Sequence, residues 1–291
     1  MLAKTVEEIL APNAKWIIGK NGLMNVHAHV CNGKTKVDPK SWRIPYQWEG
    51  VHYQDHDDEP YLLLINSGGG LVEGDSADFN AVLDADSRLL VTSTEASKFC
   101  KCLEGGTARE TATAKVGPRA LFEYCPDETI PFAWTCAERI TRIMLDSTSR
   151  LYATDMISAG RVHYLEGEVF KFSSLLSEFE IRIDGRLFLL DRIAARNESE
   201  IEALQRFWNG AYHMASVYGY APDLPADIEN AVHEQVKDVE DTEVGVTRIN
   251  NLVIVRILSR ETWQAKEAMY NCWVALRPAI AGKPARPIIK C

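Results

Sequence analysis

Leu83-Asp84-Ala85-Asp86-Ser87-Arg88-Leu89-Leu90 decides the fold, because the chain repeats its grammar. Ala114-Lys115-Val116-Gly117-Pro118-Arg119-Ala120-Leu121 is a second copy, and Leu145-Asp146-Ser147-Thr148-Ser149-Arg150-Leu151-Tyr152 is a third. Each is a strand end, a tight turn, an arginine and a new apolar strand. The arginines fall at 88, 119 and 150, a spacing of 31 residues twice, and Ile183-Asp184-Gly185-Arg186-Leu187-Phe188 is a looser fourth copy. A fixed period of this kind marks units that stack and bury each other's apolar faces. The expected fold is mainly β. Stacked sheets in a sandwich or β-solenoid-like layout carry the repeat over residues 79–192. A step of 31 aligns Ser93 with Tyr124 and Asp155, and Thr92 with Glu123 and Thr154. Such polar rows line a groove or form one wet sheet face, the commoner case.

Upstream, the apolar run Tyr61–Ile65 reads as a buried strand leading into Gly68-Gly69-Gly70-Leu71-Val72-Glu73-Gly74-Asp75. Glycines this dense imply positive φ or a close backbone approach, at Gly69, Gly70 and Gly74 in particular. The spacing from Gly69 to Gly74 imitates a phosphate loop. Asp75, however, stands where that loop needs its lysine, and a carboxylate repels phosphate. The loop suits a cation or a partner's donors.

Further upstream, Asn25-Val26-His27-Ala28-His29-Val30-Cys31 alternates with period two. That places His27, His29 and Cys31 on one strand face. They are candidate ligands for nickel, zinc or copper. A solvated strand face is the commoner outcome, since three ligands on one strand rarely close a site. Asp55–Glu59 reads as a solvated acidic loop, and Val6–Leu10 as a helical turn ended by Pro12.

Downstream of Arg196 the pattern changes. Residues 198–219 fit either a helix or a strand. Two helices are expected in the C-terminal third, about 226–239 and 261–276. The second has Trp263, Met269, Tyr270, Trp273 and Leu276 as its apolar stripe and stops before Pro278. Residues 1–60 are expected to add strands that pack on a single domain spanning 61–291, with the tail after Gly282 running extended over the surface.

The chain has 291 residues, 46% of them hydrophobic, and a net charge of -9. That charge argues against nucleic-acid or anionic-membrane surfaces. No apolar run approaches a membrane span. The N-terminal Glu7-Glu8 pair interrupts the apolar core a signal peptide needs, so a cytoplasmic location is expected. Seven cysteines without a C-x-x-C read as reduced, mostly buried thiols. Catalytic motifs such as G-x-S-x-G or H-E-x-x-H are absent, so no enzyme activity is expected. Carboxylates at or near strand ends stand out instead: Asp75, Glu123, Asp155, Glu168 and Asp191. Buried acids need partners. They either pair with local arginines such as Arg88, Arg119, Arg161 and Arg192, or line a path that passes a divalent cation.

The sequence resembles the urease accessory protein family UreD, also called UreH. The likeness runs from about Tyr61 to Pro287 and is strongest over 61–192. It rests on Gly69-Gly70-Leu71-Val72 with Gly74-Asp75, Thr94 with Ser97-Lys98-Phe99, and Leu121-Phe122-Glu123-Tyr124 before Pro126-Asp127. It continues through Ile130-Pro131-Phe132, Gly160-Arg161, Gly167-Glu168-Val169-Phe170, Glu180-Ile181-Arg182, Gly185-Arg186-Leu187 and Trp273 with Leu276-Arg277-Pro278. The resemblance implies a β-rich, non-catalytic scaffold of urease maturation. It implies binding to apo-urease, to a UreF-like protein and to a UreG-like GTPase, and transient nickel carried through an internal tunnel to the urease active site. It implies that Asp75, Asp155, Glu168 and Asp191 are interior polar positions. The family pattern does not ask for His27-Ala28-His29-Val30-Cys31. Two competing readings are a stand-alone metal-binding protein or metalloenzyme built on His27, His29 and Cys31, and a β-repeat interaction protein with no metal role.

Overall fold

The computed structural model describes residues 19–54 and 58–290. The expected turn at 6–10, and residues 55–57 of the acidic stretch, lie outside the described residues. Seventeen strands and three helices are described. The strands are β1 (Asn21–Cys31), β2 (Lys34–Arg43), β3 (Tyr46–Gln47), β4 (Tyr61–Asn66), β5 (Ser76–Leu83), β6 (Arg88–Ser93), β7 (Ser97–Phe99), β8 (Ala108–Val116) and β9 (Leu121–Cys125). They continue with β10 (Thr129–Pro131), β11 (Cys136–Leu145), β12 (Arg150–Ser158), β13 (Ser174–Ile183) and β14 (Arg186–Ala195). Helix α1 (Glu198–Phe207), β15 (His213–Tyr220), α2 (Ile228–Val236), β16 (Thr242–Ile249), β17 (Leu252–Ser259) and α3 (Thr262–Ala281) complete the chain.

The chain alternates between two sheets, one strand in each per turn. β1, β5, β8, β11 and β13 run parallel in a seven-stranded sheet closed by antiparallel β2 and β14. β4, β6, β9 and β12 run parallel in a second sheet, extended by antiparallel β15, β17 and β16. Parallel neighbours need a crossover. Here the crossover is the strand in the opposite sheet, which makes the stack a two-sided solenoid. β1 and β2 belong to the first sheet.

The rungs advance by a different step than the arginines. Arg88 pairs with Leu121, and Leu121 with Arg150, so successive rungs are 33 and 29 residues apart. Arg119 is therefore a turn residue, at φ 55°, stacked on the turns before and after it. Its guanidinium makes two hydrogen bonds of 2.7 Å to Asp86, and its N–H donates to Thr148 Oγ1 at 3.1 Å. Glu123 consequently lies beside Leu90 and Tyr152, not between Thr92 and Thr154. The slip is two residues, so every side chain keeps its face.

Two apolar cores result. One fills the space between the sheets, with Phe79, Phe122, Tyr124 and Phe179 among its rings. The other lies between the second sheet and helices α2 and α3. The ambiguous stretch 198–219 resolves into both elements, α1 and β15. Helix α3 does not stop before Pro278 but runs on to Ala281, where left-handed Gly282 donates its N–H to the Pro278 carbonyl. Its buried stripe is Ala265, Ala268, Cys272, Trp273, Leu276 and Ile280, whereas Trp263 is exposed. The tail is held along the surface: Gln54 donates to the Pro287 carbonyl at 2.7 Å and Tyr61 Oη to that of Ile289 at 3.2 Å. Asp58 and Glu59 do not form a solvated loop. Asp58 lies 3.5 Å from Arg88, and Glu59 is buried against Lys283 and Arg277. No helix among the described residues is long and apolar enough to cross a membrane.

Candidate functional site

A charged row crosses the space between the sheets. Alternation decides which side chains enter it. On β12, Leu151, Ala153 and Ile157 face the inner core, so Asp155 does too. On β11, Ala137 and Ile143 carry Arg139 inward, and on β8, Ala108 and Ala112 carry Glu110. Glu110 and Arg139 are direct neighbours in register. Ser97 Oγ donates to Glu110 at 2.8 Å, Arg139 Nε lies 3.4 Å from Glu110, and Arg139 reaches across to bond Asp155 on the other sheet. Asp155 pairs in register with Ser216 on β15, and Ser216 with Arg256 on β17. Arg256 donates to Ser216 and to Asp191 on β14, and Tyr218 Oη donates to Asp191 at 2.6 Å. The row thus runs Ser97, Glu110, Arg139, Asp155, Ser216, Arg256, Asp191. A cavity of about 40 Å³ adjoins its Ser97–Glu110 end, lined also by Tyr46, Lys98 and Tyr124. That volume admits ordered water. Burial pushes the Tyr124 hydroxyl up to about 12, so it enters this site as a neutral phenol.

Of the five carboxylates expected together, the row contains Asp155 and Asp191. Glu123 faces the opposite way, toward the helices, on the face of β9 shared with Leu121 and Cys125. It is fully buried and accepts hydrogen bonds from Trp273 Nε1 at 2.6 Å and from Arg277 at 3.0–3.2 Å. Burial, and next the nearby Glu123 charge, push Glu59 well above the ordinary carboxylate range. Asp75 is buried in its own turn, where it accepts from the N–H groups of Lys20 at 2.5 Å and Val72 at 3.0 Å. Glu168 forms a two-pronged pair with Arg161, whose guanidinium stacks over Phe132 and Tyr164. The Arg161 hydrogen bond holds Glu168 below the usual range. Asp75 and Arg161 are both charged neighbours of the half-buried Cys100 thiol, which burial pushes up. Gly69, Gly70 and Gly74 all take positive φ. Gly70 also needs its missing side chain, since a Cβ there would lie 2.9 Å from the Cys100 sulfur and 3.1 Å from the Lys98 carbonyl.

His27 and His29 share a face as expected, with ring centroids 5.5 Å apart. Cys31 does not join them. It is exposed at the strand end, and the third group beside the histidines is Asp38 of β2. The six described cysteines are all free; two are buried, three half-buried and one exposed.

Sequence reasoning missed the cations of the row. Arg139 sits in Ala137-Glu138-Arg139-Ile140-Thr141-Arg142-Ile143, in phase with the core residues Ala137 and Ile143. A charge in an inward phase was the available signal. Arg277 likewise falls one turn after Trp273 on the buried side of α3.

Fold and row together define a two-sided β-solenoid whose interior is threaded by paired charges and backed by a helical layer. The profile described as UreD urease accessory protein matches residues 20–290, and the chain belongs to that family. It is similar to the urease accessory protein UreD of Acetivibrio thermocellus, 24% identical over 84% of this chain and 92% of the relative. The UreD proteins of Citrobacter koseri (27% identical, 89% and 84% covered) and Klebsiella aerogenes (26% identical, 93% and 96% covered) match similarly. A role in urease maturation follows from the family.

Proposed function

We propose that the chain is a non-catalytic scaffold that binds apo-urease with UreF-like and UreG-like accessory proteins. On this reading it relays nickel, as cargo, to the urease active site in the cytoplasm. The family match over nearly the whole described chain carries this reading. The interior row supports the relay. Its oxygen donors, Glu110, Asp155 and Asp191, suit weak, exchangeable binding of a divalent ion. Each is held by an arginine, so an incoming cation exchanges with a guanidinium instead of entering an uncompensated acidic site. Asp75 and Glu168 contribute from the loops around Cys100. Glu123 is assigned to anchoring α3.

The test is co-expression with urease and the other accessory proteins. Omitting this chain should abolish urease nickel content and activity. Replacing Asp155 and Asp191 together by Asn should lower nickel loading while the complex still assembles; unchanged loading in either experiment sinks the corresponding claim. One observation favours a second reading, a scaffold whose row is purely structural: each of its carboxylates already has a cationic partner. On that reading the Asn replacements lower stability and leave nickel loading per assembled complex intact.

A further inference from the structure

We propose that His27, His29 and Asp38 form a binding site for one divalent first-row transition ion on the outer face of the seven-stranded sheet, separate from the interior row. Three features of strand geometry build it. His27 and His29 are two residues apart on β1, with Val26 and Ala28 buried beneath, so both imidazoles project outward. The antiparallel register places Asp38 of β2 directly opposite His27. One donor atom from each of the three side chains lies within 4.8 Å of the other two.

The surroundings prepare the donors. His27 Nε2 lies 3.0 Å from Asp84 Oδ1, in the turn after β5. A carboxylate there is placed to accept a hydrogen bond from Nε2–H, the arrangement in which Nδ1 carries the ring's lone pair. A carboxylate behind a ligating histidine is the usual way its tautomer and orientation are fixed. His29 Nδ1 is buried, has no hydrogen-bond partner among the described residues, and lies 3.8 Å from Asp38 Oδ2. That distance is too long for a hydrogen bond. Donors around one ion at about 2.0–2.2 Å must stand roughly 3–3.5 Å apart, so the group has to contract modestly. All three side chains are partly exposed, from 22% at His27 to 49% at Asp38, and have room to rotate. Lys40, 3.2 Å from Asp38, competes for the carboxylate and keeps the site weak until an ion displaces it. Two imidazoles and one carboxylate, completed by water, suit nickel, zinc or copper, not magnesium or calcium. The inference does not depend on the urease reading.

The experiment is equilibrium dialysis of the full chain, without a histidine tag, against Ni²⁺ and separately Zn²⁺. Wild type should hold one ion per chain that the double variant His27→Ala/His29→Ala does not, with the far-ultraviolet spectrum unchanged. Asp84→Asn should weaken that ion by about 10–100-fold, and Cys31→Ser should leave it alone. Nickel edge spectroscopy of the loaded wild type should report imidazole ligands that Asp38→Asn retains and the double variant lacks. Equal binding by wild type and the folded double variant overturns the proposal, as does loss of the ion in Cys31→Ser.

Discussion

Arg139 and Asp155 come from different sheets and meet inside the sandwich, where the guanidinium bonds the carboxylate and also lies 3.4 Å from Glu110. Removing one partner of a buried pair leaves an uncompensated charge and costs about 3–5 kcal/mol. Because Glu110 remains, Asp155→Ala should fall at the low end, about 3 kcal/mol, in urea unfolding. Asp155→Asn, which keeps a hydrogen-bond acceptor, should lose less. A cost below about 1 kcal/mol for Asp155→Ala would show that the pair is solvated in solution.

Helix α3 is fastened through a second buried group. Glu123 bonds both Trp273 and Arg277, which are one turn apart on the helix. Glu123→Ala should destabilise by about 3–5 kcal/mol, since Trp273 Nε1 and Arg277 lose their acceptor together. The paired change Glu123→Leu/Arg277→Met should lose less than Arg277→Met alone, because the single change leaves Glu123 buried beside Glu59. A double-mutant cycle on thermal unfolding measures the coupling, and additive costs would contradict the contact.

His213 couples stability to pH. Its ring sits between Ser158 Oγ at 2.9 Å and Thr262 Oγ1 at 3.2 Å, and burial pushes it down to about 4. The native ring stays neutral while the unfolded one takes a proton near pH 6.5, so the unfolded state binds more protons between these values. Stability should therefore fall as pH drops from about 6.5 to about 4, by up to about 3 kcal/mol from this group. His213→Gln should flatten the pH profile of the unfolding free energy in that window. An unchanged slope would place the ring in contact with water.

Gly160 makes the loop around Glu168 possible. It sits at φ 140°, and a Cβ there would lie 2.0 Å from the Glu168 carbonyl oxygen. Gly160→Ala must move backbone, so it should cost at least about 1–3 kcal/mol and lower Tm by several degrees. Gly245→Ala, where nothing lies within 4 Å and φ is ordinary, is the matched control and should be nearly silent.

The solenoid was legible because turn, arginine and apolar strand recur three times, and parity along a strand survives an even slip. The register was not. Gly117-Pro118-Arg119-Ala120 carries its arginine inside the turn, whereas Arg88 and Arg150 open their strands. Matching arginine to arginine therefore shifted the middle rung by two residues. For the site, the family resemblance implied an interior Asp155, but its partner Arg139 lies in another sheet and no local pattern announces such a contact. Glu123 had the sequence signature of a row member. Only the helical layer, folded back from 150 residues downstream, explains its charge. Asp38 was missed beside His27 because strand pairing, not strand periodicity, brings it there.

The seven-stranded sheet ends in β2, whose sequence Lys34-Thr35-Lys36-Val37-Asp38-Pro39-Lys40 holds three lysines and a proline. A bare strand edge normally invites another strand to dock upon it, and lysine together with proline is how proteins discourage that. The antiparallel β2 and β14 also break the parallel order, so no further rung can be added in phase. At the β2 end the stack therefore resists adding a further strand and growing into fibres.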